Sequence, residues 1–319
     1  MKKLYKLLWV LFILIQYGSL NALSTRITDI SSTTLSYSNS ENNLFIGIDY
    51  TISLDNPSWV LAEHSGYVQF SESDSGVLLL PPNITDMFPQ MFFRSQVSHT
   101  AIHDFANHQD EIPKFVSNDY IDMEKIGSIS RFRSGYGHDY VDDFETCRSM
   151  KHYYCPKASV TDFSTIDIFS PITGTVVSME ESNGIRINIK SSSYPEYQFI
   201  IFHVNTLPYI QNGYEVEAGE KIGTHINNTI NPTISDIAVQ RFVLHNNQFK
   251  KQLISFFDVM EDDFFASYSA QSQINTRSDL IISDIERNSD LLTCIGEEFV
   301  GETMDDGSYG NIPNWIILD

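Results

Sequence analysis

The 319-residue sequence predicts a mainly β protein built of antiparallel sheet, and three observations support this. Short runs rich in β-branched and aromatic residues recur along most of the chain, clusters of Ser, Asn, Asp and Gly separate them, and the apolar spacing of a helix is almost absent before residue 242. Strands joined by tight turns bury their apolar faces most simply in a compact sheet or sandwich.

The first residues follow another pattern. Lys2, Lys3 and Lys6 precede an apolar run over residues 7–15, and small residues follow at Gly18, Ser19 and Ala22. This order predicts a signal peptide over residues 1–22, cleaved near Ala22, and so short a run does not span a bilayer comfortably. Over residues 23–95 the runs Leu44-Phe-Ile-Gly-Ile-Asp-Tyr-Thr-Ile, Trp59-Val-Leu, Tyr67-Val-Gln-Phe and Val77-Leu-Leu-Leu predict an N-terminal β module, which Pro81-Pro-Asn83 breaks off. Residues 96–122 read as a connecting segment holding His99, His103 and His108. On a helix the first two would share a face, but Thr100 stands where a thermolysin-like His-Glu-x-x-His has its glutamate. The segment is either a polar helix or loop with solvated histidines, or a strap that lends one of them to the next domain.

Residues 123–241 form the predicted core domain. Its strand-like runs are Ile166-Asp-Ile-Phe-Ser-Pro, Gly174-Thr-Val-Val-Ser-Met, Ile185-Arg-Ile-Asn-Ile, Gln198-Phe-Ile-Ile-Phe-His203, Tyr214-Glu-Val and Ile237-Ala-Val, punctuated by glycines at turn-like spacings. Beyond them, Phe249, Leu253, Phe257 and Met260 fall on one face of a helix, and residues 279–294 suggest a second. Residues 242–319 therefore read as a helical C-terminal extension packed on the core domain.

Charge narrows the partners. Loss of three lysines and no acids with the signal takes the formal charge from −21 to −24, which argues against nucleic acid and against docking on anionic lipid. No second run of membrane-spanning length appears, so the expected protein is soluble after signal cleavage, and secreted or periplasmic. In an oxidising compartment the three cysteines allow Cys147–Cys155 or Cys155–Cys294, and spacing does not choose between them.

Chemistry gathers at Arg131-Phe-Arg-Ser-Gly-Tyr-Gly-His138-Asp-Tyr-Val-Asp142, read as a loop running into a strand. Imidazole and carboxylate are both zinc ligands, and a catalytic zinc takes three protein ligands with one position open for water. Residues 131–241 resemble the lysostaphin-type (duplicated-hybrid-motif) zinc endopeptidases, which cut cell-wall peptide cross-links. Gly137-His138-Asp-Tyr-Val-Asp142 is similar to the family's zinc pair, and Ser170-Pro-Ile-Thr-Gly174-Thr-Val-Val to its inter-strand turn. Tyr197-Gln-Phe-Ile-Ile-Phe-His203 looks like the strand ending in the catalytic histidine, and Gly213-Tyr-Glu-Val-Glu-Ala-Gly219-Glu-Lys-Ile-Gly223 like the double turn. The departure is Ile234-Ser-Asp236, which falls where the family has His-x-His.

The resemblance implies zinc, or another divalent ion such as manganese, held by His138, Asp142 and Asp236, with His203 stabilising the oxyanion or moving the proton. It also implies hydrolysis of a peptide or cell-wall peptide. Two carboxylates would make the centre less positive, and Ile234 removes a side chain that could hold the attacking water. His152 and His225 are candidate substitutes. The alternatives are a binding or regulatory module with a decayed catalytic set, and an interaction protein that works through its N-terminal module.

Overall fold

A computed structural model of the chain describes residues 111–227, 234–245, 248–269 and 274–318, together with seven strands before residue 99. The predicted signal peptide and the cluster of His99, His103 and His108 lie outside the described residues. The fold is mostly antiparallel sheet, and no helix among the described residues is long and apolar enough to cross a membrane. By compactness the chain divides into two units, residues 1–107 with 243–250, and residues 108–242 with 251–319.

The first unit contains β1 (Thr25–Ile30), β2 (Thr34–Asn39), β3 (Leu44–Thr51), β4 (Val60–Leu61), β5 (Gln69–Ser71), β6 (Ser75–Leu79) and β7 (Phe92–Ser98). They form one sheet in the order β1-β2-β6 and another in the order β4-β3-β5, in which β7 also pairs with β3. Strands form at each of the four runs in which apolar and polar residues alternate.

In the second unit the strands are β8 (Ile126–Ser130), β9 (His152–Pro156), β10 (Asp167–Phe169), β11 (Gly174–Glu181), β12 (Ile185–Ser191), β13 (Tyr197–Thr206), β14 (Glu215–Val216) and β15 (Lys221–His225), followed by β16 (Ser235–His245) and β17 (Gln248–Ile254), whose ends over residues 243–250 are assigned to the first unit, and by β18 (Thr293–Ile295), β19 (Glu298–Val300) and β20 (Trp315–Ile317). The main sheet runs β14-β11-β12-β13-β16-β9-β8-β20; β15 joins β13 to β10, and β17 pairs with β16. Its faces are both covered. Phe199 and Ile201 of β13, with Ile237 and Val239 of β16, enter the main core, whereas Ile200 and Phe202, with Ala238, pack in a smaller core with Phe132, Met150 and Leu253. The site lies beside the smaller core.

Two expectations need correction. The stretch holding Phe249 and Leu253 is β17 rather than a helix; among the described residues the α-helices of the C-terminal segment are α1 (Asp262–Ser269) and the capped α2 (Asp284–Ser289). Leu253 is buried in one core and Ile254 in the other, so the strand shows no alternation and its spacing mimics a helical stripe. Neither proposed cysteine pair forms. The bond is Cys147–Cys294, and Cys155 is free. Cys147 and Cys294 stand with Cα atoms 5.7 Å apart, whereas Cys155 lies within β9 with its Sγ 3.7 Å from the Pro156 carbonyl.

Candidate functional site

His138 stands on an irregular loop, and the next strand, β9, begins only at His152. The C-terminal segment holds that loop in place. Asn314 Oδ1 accepts from the Gly135 amide at 2.7 Å, the Tyr309 amide donates to the Gly135 carbonyl, and the Asp139 amide donates to the Glu297 carbonyl. Gly137 has φ +77°, and a Cβ there would strike the Tyr153 hydroxyl, so a glycine is required just before the histidine. The His138 ring accepts its orientation from its neighbour: Nδ1 lies 2.9 Å from the Asp139 carbonyl, which makes Nδ1–H the donor and leaves the Nε2 lone pair free to accept.

What Nε2 meets is Lys151. Its Nζ lies 3.2 Å from His138 Nε2 and 2.6 Å from Asp236 Oδ2. The sheet explains the meeting. Tyr153 pairs with Asp236 across β9 and β16, so the lysine two residues earlier shares their face and reaches the carboxylate diagonally. Only 2 % of the lysine side chain and 1 % of the aspartate side chain are exposed. Three rings close around the ammonium, with centroids 4.2 Å (Phe202), 4.7 Å (Tyr140) and 5.1 Å (Tyr153) away. Burial works against charge on Lys151, but Asp236 outweighs it and raises the ammonium above the ordinary lysine range. Burial likewise opposes the Asp236 carboxylate, and the Lys151 charge holds it below its usual value. The pair is ionised. His138, by contrast, is kept neutral by burial and by the lysine charge.

His203 reaches the same carboxylate through a defect in β13. Two steps on β12, from Ile185 to Ile187, face three on β13, from Ile201 to Val204, so β13 carries a bulge, and His203 takes φ +61° within it. The bulge brings the imidazole to Asp236, where strict alternation would send it to the opposite face. Its Nδ1 lies 3.0 Å from the Asn183 carbonyl in the β11–β12 turn. Nε2 lies 3.2 Å from Asp236 Oδ1, within ion-pair distance. Burial opposes protonation of His203, but Asp236 outweighs it and raises the imidazole.

Asp142 does not join them. Its Oδ1 accepts from the amides of Phe144 and Glu145 and its Oδ2 from that of Leu253, so it caps a turn, secures the edge of β17 and lines a separate polar pocket of about 560 Å³ with Arg133 and Arg148. Nor do the two substitutes serve. His152 is buried between the Ser130 carbonyl and the Ser255 hydroxyl, both at 2.8 Å, and burial lowers it to about 4. His225 is buried, with Nδ1 2.6 Å from the Ile226 carbonyl.

Zinc therefore does not fit these residues. Among the described residues no three His, Cys, Asp or Glu side chains converge as ligands, and the lone pair and carboxylate that would face the ion face an ammonium. A doubly charged ion about 3 Å from that ammonium would meet repulsion of roughly 10 kcal/mol at an effective dielectric constant of about 20. Sequence reasoning missed Lys151. The available signal was a lysine opening the strand-like run Lys151-His-Tyr-Tyr-Cys, since a cation entering a buried strand requires a buried acid.

No protein-family model matches the sequence, and no curated protein matches it. Among solved structures the chain is similar to lysostaphin (16% identity, 38% of this chain and 51% of that one, TM-score 0.25). It is also similar to a zinc-containing peptidase from Vibrio cholerae (12%, 68% and 54%, 0.28) and to Helicobacter pylori Csd3 (11%, 78% and 76%, 0.33). The chain spans about half the length of the first two.

Proposed function

We propose that the second unit is a non-catalytic binding module for peptides of the bacterial cell wall, on a β scaffold from which the hydrolytic metal centre has been lost. One observation carries this: the Lys151 ammonium lies between His138 and Asp236, where the resemblance would have a zinc ion. The cluster retains an imidazole dyad partner in His203, but the described contacts offer no activated nucleophile beside it. The motifs over residues 131–241 support the peptide class. The apolar run behind Lys2, Lys3 and Lys6 supports export, as does the Cys147–Cys294 bond, since disulfides persist in oxidising compartments.

The test uses the purified chain and cell-wall peptide fragments, with calorimetry for binding and chromatography for cleavage, each with and without added zinc. Saturable binding without cleavage in either condition is the expected outcome. Cleavage that a chelator stops overturns the loss of catalysis, and absence of binding overturns the peptide ligand.

A further inference from the structure

We infer that Lys151 is an internal replacement for a metal ion, and that removing its side chain uncovers a site for a divalent cation that accepts nitrogen and oxygen ligands. This rests on the reading above that the metal centre has been lost, and it names the residue responsible. The His138 ring is set as a metal ligand would be, with Nδ1–H on a backbone carbonyl and the Nε2 lone pair facing the cation, here 3.2 Å from Nζ. Asp236 Oδ2 faces the same cation at 2.6 Å. The other oxygen of that carboxylate lies 3.2 Å from His203 Nε2, so the two donors that meet the ammonium are one imidazole nitrogen and one carboxylate oxygen.

The ammonium thus does what a bound ion would do for the fold: it draws an imidazole and a carboxylate from separate strands and loops to one point. The rings of Phe202, Tyr140 and Tyr153 surround it as they would not surround a hydrated metal. An ammonium delivered by the chain itself needs no loading, so the cluster is assembled whenever the chain is folded.

The experiment is cobalt(II) and zinc titration of the full-length protein, read by the cobalt ligand-field absorption and by metal retained after gel filtration. The parent protein and Lys151→Arg are expected to retain less than a tenth of an equivalent, and Lys151→Ala one equivalent. Lys151→Ala leaves Asp236 unpaired, so Lys151→Ala/Asp236→His, which removes that buried charge and adds an imidazole, is titrated beside it. One equivalent held by Lys151→Ala and by the double variant, and not by the parent or Lys151→Arg, supports the replacement. A folded double variant that retains no metal overturns it, as does a parent protein that retains one equivalent. Peptide binding is measured separately, so loss of the peptide reading and loss of the metal-replacement reading give different results.

Discussion

Lys151 and Asp236 form a charge pair whose two members are almost wholly removed from water, and such pairs are costly to break on one side only. Lys151→Met should therefore destabilise the second unit by about 3–5 kcal/mol, because it strands a buried carboxylate, whereas Lys151→Met/Asp236→Leu should recover most of that loss. Urea unfolding of the three proteins checks this; equal losses in both variants would mean that packing, not charge, dominates. At this scale the sequence revealed part of the site. His138, Asp236 and His203 carried chemical types in a recognisable order, and the fold gathers them. Asp142 was assigned through the resemblance, and on this loop its carboxylate caps the next turn instead. Lys151 went unseen because lysine is almost always exposed, and its partner lies 85 residues away in sequence.

Among the elements, the β11–β12 turn has a role beyond joining two strands. Asn183 and Gly184 take φ of +47° and +90°, and the Asn183 carbonyl orients the His203 ring. A Cβ on Gly184 would strike Ile226 and crowd the His203 backbone. Gly184→Ala should accordingly cost about 1–3 kcal/mol, read as a lowered thermal midpoint, while Ser182→Ala at the exposed start of the same turn should change stability by under about 0.5 kcal/mol. Alternation predicted most strands well, since one residue in two must face a core. It failed at β17, where both neighbours are buried, and it could not reveal the bulge, which depends on pairing between strands.

For the whole molecule, the C-terminal segment is part of the site's support. Asn314, Tyr309 and Glu297 hold the His138 loop, and Cys147–Cys294 closes a loop long enough to remove roughly 4–5 kcal/mol of chain entropy from the unfolded state. No sequence motif marks this, because backbone carbonyls and one asparagine do the holding. A titration also acts at this scale. Burial raises Asp119, hydrogen-bonded by the Tyr268 hydroxyl of α1, to about 7. Between the ordinary carboxylate range and about pH 7 the unfolded chain has lost this proton and the folded chain keeps it, so the group's contribution to stability falls as pH rises, by at most about 1.4 kcal/mol per unit. Buried His152, lowered to about 4, acts in the opposite sense below about pH 6.5. Comparing urea midpoints of the parent and Asp119→Asn at pH 5 and pH 8 isolates the aspartate: the variant should gain on the parent at pH 8, and a constant difference would refute the shift.

The extra residue in β13 has a consequence for how this chain can change. Ile201, Phe202 and Val204 would alternate without interruption if His203 were simply excised, since Val204 already faces the main core. The imidazole thus enters an otherwise ordinary strand at the cost of one step of register, while the residues on either side keep the faces that alternation gives them.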